Sequence, residues 1–311
     1  MRVGTRGSAL AMAQTRALLA LIGEPDVEVL TTAQLAGADR ERHDAPQDKS
    51  RWVADLERAL LAGKIDLAVH SAKDVPGDLA EGLELIGALA RAPAIDLLVL
   101  RPGACEQLPR QARVGTGSLR RSAQLRAWRP DIEVVTVAGN VDTRLAALTA
   151  GAAEVDALVL AAAGLQRLGI EPDRSMPLRG PCFVPAPGQG TITLQARCKD
   201  RALAAAIAPH CDRDAFACLR AERALARALG ASCDLPLGAH AQIQAASAPG
   251  GAQMRLRGWV GLPDGSQWIA DQASGDPTEP EALGMLLAER MRSAGCEQIL
   301  RRALAEVGGD V

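Results

Sequence analysis

Several cationic residues in this sequence stand where a strand-like run gives way to a helical one. Arg6 follows Arg2–Thr5, Lys73 follows the run ending at His70, and Arg120 and Arg121 fall in the first turn of a helix opened by Ser118. Arg144 comes a turn after Gly139-Asn140-Val141, and Arg167 follows Ala163-Gly164-Leu165. Open α/β sheets bind ligands beyond the C-terminal ends of their strands, where helix N-termini offer unpaired N–H groups to anions. A cation at such a terminus opposes the helix dipole, so local stability does not explain Arg120 and Arg121. A ligand with several carboxylates or phosphates does. For any one of these residues, solvated side chains or surface ion pairs are the plainer alternative.

Two further residues could do chemistry. Asp74 sits beside Lys73 in His70-Ser71-Ala72-Lys73-Asp74-Val75-Pro76. It is either a turn-forming carboxylate or an acid/base or cation-stabilising group at the mouth of a basic cleft. His70 reads as a satisfied near-core histidine. Cys233 lies in Gly230-Ala231-Ser232-Cys233-Asp234-Leu235-Pro236-Leu237-Gly238. Glycine, serine and proline keep backbone close to it and bulk away, as a loop presenting a sulfur requires; the other six cysteines read as small buried thiols. On the residues alone, packing, redox pairing, metal ligation, nucleophilic attack and attachment of a group all remain open for Cys233.

The elements that must position these groups alternate between strand and helix. Arg2–Thr5 predicts a strand, Ser8 caps a helix running to Ile22 and ending at Gly23, and residues 27–32 predict a second strand. Trp52, Leu56 and Leu60 share one helical face that closes at Gly63, and residues 66–70 form a short buried strand. Such alternation predicts a mostly parallel sheet with helices on its faces. The plan then repeats. Val114-Gly115-Thr116-Gly117-Ser118 echoes Val3-Gly4-Thr5-Arg6-Gly7-Ser8, and residues 156–161 echo residues 66–71. Residues 91–95 and the proline-rich 181–190 predict crossovers, the second returning the chain to the first domain, where residues 191–196 add a strand. An amphipathic helix over 213–229 leads into the Cys233 loop. Beyond it residues 239–245, 254–260 and 267–271 alternate as antiparallel strands with a turn at Pro263-Asp264-Gly265, and a closing helix covers 279–292. The expected architecture is two similar α/β domains facing each other, residues 1–91 with 190–209 and residues 94–184, plus a small C-terminal α+β domain over 213–311.

Composition narrows the function classes. The chain has 311 residues, 48% of them hydrophobic and 23% charged, with a net charge of −2, which fits a soluble globular protein without a nucleic-acid partner. Aromatic residues make up only 2% and tyrosine is absent, so aliphatic side chains must build the cores. No run approaches the roughly 20 apolar residues of a membrane span, and the N-terminus lacks an apolar signal core; a cytoplasmic address and no membrane partner are expected. The seven cysteines contain no C-x-x-C pair, and the four histidines show no ligand spacing, so neither a disulfide frame nor a metal is expected.

Taken in order, five motifs resemble the porphobilinogen deaminase (hydroxymethylbilane synthase) family. They are His70-Ser71-Ala72-Lys73-Asp74-Val75-Pro76, Val114-Gly115-Thr116-Gly117-Ser118-Leu119-Arg120-Arg121, Gly139-Asn140-Val141-Asp142-Thr143-Arg144-Leu145, Pro187-Gly188-Gln189-Gly190 and the Cys233-x-x-Pro-x-Gly loop. The resemblance implies that Cys233 carries a dipyrromethane cofactor through a thioether. That primer would accept four units of the small-molecule substrate porphobilinogen, each losing ammonia, before hydrolysis releases a linear tetrapyrrole. It implies a catalytic Asp74 that stabilises the azafulvenium cation. Lys73, Arg120, Arg121, Ser118, Ser71 and Arg144 match cofactor-binding positions, and Arg6, Ser8, Arg167 and Lys49 match substrate-binding ones. It further implies that the two α/β domains are periplasmic-binding-protein-like (type II) beside the small C-terminal α+β domain, and a monomer whose product passes to uroporphyrinogen III synthase.

Some positions depart from the family pattern. Ala138 stands where an arginine usually precedes Gly-Asn, Ile95 where an arginine is common, and Trp52 where a phenylalanine is usual. Residues 34–39 distort a T-x-G-D run, and Asp44-Ala45-Pro46-Gln47-Asp48 replaces a glycine-rich loop and lacks a second lysine. Two rival readings follow: a divergent paralogue making a different oligopyrrole, and a non-catalytic anion-binding or sensor module of the same fold.

Overall fold

Three sheets organise the chain. The computed structural model describes residues 1–23, 26–36, 49–104, 108–152, 154–230, 235–244 and 252–308. The first domain starts with β1 (Arg2–Thr5), α1 (Ala9–Ile22), β2 (Glu28–Thr31), α2 (Thr32–Ala36), α3 (Lys49–Leu61), β3 (Leu67–Ser71) and β4 (Leu83–Ala88). Ser8 Oγ accepts from Ala11 N at 3.3 Å to cap α1, and Gly23, at φ 62°, ends it. The second strand is shorter than expected because Thr32 already belongs to α2.

The chain then crosses to a second domain of β5 (Asp96–Leu100), β6 (Arg113–Gly115), α4 (Leu119–Trp128), β7 (Glu133–Val135), α5 (Val141–Thr149), β8 (Ala157–Ala161), α6 (Ala162–Leu168) and β9 (Ser175–Pro177). It returns as β10 (Ile192–Arg197) and α7 (Arg201–Ile207). The strand orders are β2-β1-β3-β10-β4 and β7-β6-β8-β5-β9. In each sheet four strands point one way, and the strand that follows a crossover, β5 or β10, is inserted antiparallel. The sheets are therefore mixed at one position each. Alternation alone could not show this, because the odd strand enters from the other domain.

The two crossovers lie side by side. Ala92 N donates to Gly190 O at 3.1 Å, and Arg91 Nε donates to Gln189 O at 3.0 Å. Gly190, at φ 85°, leaves no room for a Cβ against Ala92 O, so the close approach requires glycine.

The third unit comprises α8 (Arg213–Ala228), the antiparallel sheet of β11 (Leu237–Gln244), β12 (Gln253–Gly261) and β13 (Trp268–Gly275), then α9 (Pro280–Ser293) and α10 (Cys296–Gly308). The expected closing helix α9 is followed by another. Cys296, Ile299, Leu300 and Ala303 of α10 bury against the same core as Leu225, Leu256 and Leu287. Their helical period was present in the sequence beyond Gly295. Leu18, Leu67 and Leu194 centre the first domain's core, and Leu98, Val114 and Val159 that of the second. As the composition requires, nearly all of this packing is aliphatic.

Candidate active site

The loops that end β1 and β3 face the N-terminus of α5 across the interdomain cleft, enclosing a cavity of about 290 Å³. Arg6 and Ser8 enter it from the first loop, Ser71, Lys73 and Asp74 from the second, and Asn140 and Arg144 from the opposite domain. A second cavity of about 40 Å³ adjoins it, lined by Arg121, Arg144 and Arg167 together with Ser71, Lys73 and Gly188 of the crossover side. Residues from distant parts of the sequence thus converge because both sheets end their parallel strands at the same cleft.

Asp74 closes a single 3₁₀ turn, Ala72–Asp74, which β3 feeds directly. Its Oδ2 lies 3.7 Å from Arg6 Nη1, and its side chain is 14% exposed. The Arg6 guanidinium in turn stacks 3.5 Å above the Trp52 ring. The departure at Trp52 therefore gives Arg6 a wide π-face that holds its fork over the cavity. Burial lowers the Arg6 pKa, with Asp74 acting in the opposite direction. Ser71 Oγ meets the Gln14 amide at 2.7 Å from Nε2, which ties α1 to the turn.

Arg144 and Arg167 are strongly desolvated cations of the cleft. Burial, then the neighbouring Arg121 charge, pulls Arg144 down to about 10, and burial alone brings Arg167 to about 10. Both remain charged at neutral pH. Arg167 Nη2 donates to Gly190 O at 2.7 Å, but Arg144 Nε is buried with no hydrogen-bond partner among the described residues. A buried, unpaired guanidinium N–H is costly unless an acceptor arrives. The donor set fits a ligand carrying several carboxylates.

Arg120 lines neither of these two cavities. Its guanidinium turns into the interior, donating to Gln124 Oε1 at 2.9 Å, Val184 O at 3.0 Å and Asp96 Oδ2 at 2.8 Å, and it is 4% exposed. Arg121 shares the same carboxylate, with Nη2 2.7 Å from Asp96 Oδ1. Burial alone would raise the Asp96 pKa, but the two arginines outweigh it and hold the carboxyl far below its ordinary range. Gln189 Nε2 also donates to Asp96 Oδ1, at 2.9 Å. Ser118 likewise serves its helix, accepting from Arg121 N at 3.5 Å, and lines neither cavity. Asp96 was missed from sequence. The available signal was an acidic residue opening the otherwise apolar strand Asp-Leu-Leu-Val-Leu. Lys49 opens α3, with only its backbone described, and Cys233 lies outside the described residues. Among the described residues no cluster of metal-binding side chains occurs, and no helix is long and apolar enough to cross a membrane.

His70, also on the cavity wall, is 5% exposed and donates from Nε2 to Gln195 Oε1 at 2.9 Å. Burial pushes its pKa down to about 4, against the smaller opposing effects of Gln195 and Asp74. The unfolded chain therefore takes up this proton more readily than the folded one. His70 destabilises the fold as pH falls from about 6.5 to about 4, and has no such effect above that window. At about 1.4 kcal/mol per pKa unit the loss is on the order of 3 kcal/mol. Melting temperature followed from pH 7.5 to 4.5 should drop, and His70→Gln should flatten that drop. Parallel curves for the two proteins would contradict the assignment.

Residues 1–205 match the family model for porphobilinogen deaminase, dipyromethane cofactor binding domain, and residues 216–293 match the model for the porphobilinogen deaminase C-terminal domain. The chain belongs to the porphobilinogen deaminase family. Porphobilinogen deaminase of Deinococcus deserti is 41% identical over 313 residues, spanning 97% of this chain and 98% of its own length. Its counterpart in Thiobacillus denitrificans is 44% identical over 253 residues, covering 81% of this chain and 80% of its own. Among solved structures, a periplasmic binding protein of Salmonella typhimurium with high arginine specificity is 12% identical, covers 68% of this chain and 90% of its own, and gives a TM-score of 0.34. So loose a likeness adds nothing to the strand orders above. The family match does add to them, because the cleft lies wholly within the dipyromethane cofactor-binding domain.

Proposed function

We propose that this protein is a transferase that deaminates porphobilinogen, joins four units in sequence onto a dipyrromethane held by Cys233, and releases the linear tetrapyrrole by hydrolysis. The observation that carries this reading is the pairing of Asp74 with a cleft of desolvated arginines, one of which has a buried donor awaiting an acceptor. When bound, the dipyrromethane supplies the nucleophilic pyrrole carbon. Asp74 faces the cation left on the substrate when ammonia departs and accepts from its pyrrole N–H. Arg6, Ser8, Arg167 and Lys49 hold substrate acetate and propionate groups, while Lys73, Ser71, Arg121 and Arg144 hold those of the cofactor. Arg120 and Ser118 work from behind, the first by fixing Asp96 and the second by starting α4. Monomeric function in the cytoplasm, with product passed to uroporphyrinogen III synthase, completes the proposal. The test is incubation with porphobilinogen, following ammonia release and the pyrrole product; no ammonia would overturn it.

One observation favours a paralogue making a different oligopyrrole. Ala138 is exposed next to Gly139, which lines the larger cavity at φ 106°, so an arginine there would reach a ligand carboxylate. A charge-assisted hydrogen bond is worth roughly 1.5–3 kcal/mol, which corresponds to about 10–100-fold in binding. Partly elongated enzyme–pyrrole complexes should therefore accumulate during turnover, and Ala138→Arg should relieve the block, as read by native mass. An even progression to tetrapyrrole in both proteins would show that the missing charge is compensated. A shorter released pyrrole would establish the paralogue reading.

A further inference from the structure

We propose that Arg223 is a positioning residue for catalysis, holding the Asp74 turn in register from the C-terminal domain. This inference rests on the proposed role of Asp74. The turn Ala72–Asp74 is one 3₁₀ turn long, closed by a single bond from Val75 N to Ala72 O at 3.2 Å. Such a turn has poor hydrogen-bond geometry and little stiffness of its own. The chain leaves it through Val75-Pro76-Gly77, whose proline offers no N–H to any ladder.

The Arg223 guanidinium collects all three carbonyls of that exit segment. Nη1 donates to Val75 O at 3.2 Å, and Nη2 donates to Pro76 O and to Gly77 O at 2.8 Å each. A planar fork bonded to three consecutive carbonyls fixes both the position and the direction of the segment. The neighbouring residue grips the other side of the same turn. Glu222, fully buried, accepts from Gly188 N at 2.6 Å, and a Cβ on Gly188 would lie 2.8 Å from Ala72 Cβ and 3.0 Å from Lys73 N. Glu222 is itself held by Arg91 Nη1 at 2.7 Å and by Ala241 N at 2.7 Å. Two consecutive residues of α8 thus bracket the turn, Arg223 directly and Glu222 through the crossover backbone. The same helix ends at Ala228, five residues short of Cys233 in the chain. Arg223 therefore sets where the carboxylate stands relative to the element that leads to the anchoring loop.

The experiment measures kcat, KM, covalent pyrrole content by intact mass, and melting temperature for Arg223→Met and Arg223→Lys, each alone and combined with Asp74→Asn. A misplacement of about 1 Å in a catalytic group costs up to about 100-fold. Arg223→Met should accordingly lose at least about 10-fold in kcat, with KM within about 3-fold and the pyrrole adduct complete. Arg223→Lys should recover part of the loss, since an ammonium still reaches some of the carbonyls. In the Asp74→Asn background the same substitution should cost less than about 2-fold more, because residues acting as one unit are not additive. A purely structural role predicts the opposite, an equal further loss in both backgrounds, and would overturn the proposal, as would an unchanged kcat. Should Arg223→Met fail to fold, Arg223→Lys supports the same comparison. Near-normal activity of Asp74→Asn would sink the reading of Asp74 and this inference with it. A crippled Asp74→Asn beside an active Arg223→Met would sink this inference alone.

Discussion

Asp74→Asn is expected to keep the fold and bind substrate while losing on the order of 10²–10³ in kcat, the usual cost of deleting one preorganised electrostatic stabiliser. The asparagine matches the carboxylate in size and still accepts a hydrogen bond, so the 3₁₀ turn survives. The loss is the negative charge that stands beside Arg6 and Lys73; a second carboxylate on the cavity wall, Asp142, is exposed and belongs to α5 of the opposite domain. Against those cations, a positive charge developing on the substrate has no other counter-charge at the end of β3 among the described residues. Arg6 loses its partner at 3.7 Å but keeps the Trp52 ring beneath it, so binding suffers less than turnover. Steady-state kinetics with circular dichroism checks the expectation. Activity within a few-fold of the parent protein would assign Asp74 to turn formation instead.

Cys233→Ser should abolish turnover outright and leave the protein without a pyrrole adduct. A hydroxyl is a far poorer nucleophile than a thiolate and does not replace the thioether. The parent protein, by contrast, should carry two pyrrole units on Cys233, located by intact and peptide mass. The variant should also melt lower, because an anion bridging Arg121, Arg144 and Arg167 stabilises the closed cleft by mass action and satisfies Arg144 Nε. An unmodified Cys233 in parent protein exposed to porphobilinogen would favour a non-catalytic anion-binding module.

Much of this site was legible in the sequence because its residues occupy places that local rules mark. Ser8 and Ser118 are N-caps, and Arg6, Lys73 and Asp74 follow strands whose apolar runs are plain. The direction in which a side chain turns was not legible. Arg120 and Arg121 are adjacent on α4, about 100° apart around its axis, so only one can reach the cleft while both reach Asp96. Asp96 itself and Glu222 act through contacts 24 and 131 residues away in sequence, which no local pattern encodes. The antiparallel insertion of β5 and β10 escaped for the same reason, since each takes its direction from the domain it has just left.

That insertion also dictates an order of assembly. The strands β5 to β9 come from one unbroken stretch of chain, so the second sheet has all its members once residue 177 has emerged. The first sheet does not. Its β3 and β4 border an empty lane until β10 is made, and Ile192, Leu194 and Ala196 are missing from its core until then. During synthesis the domain that begins the chain is therefore the later of the two to finish, with two naked strand edges exposed to other chains meanwhile. The turn bearing Asp74 inherits this delay, since His70 just before it waits for Gln195, 125 residues further along. A nascent chain arrested before residue 192 would hold a finished second domain and no working carboxylate.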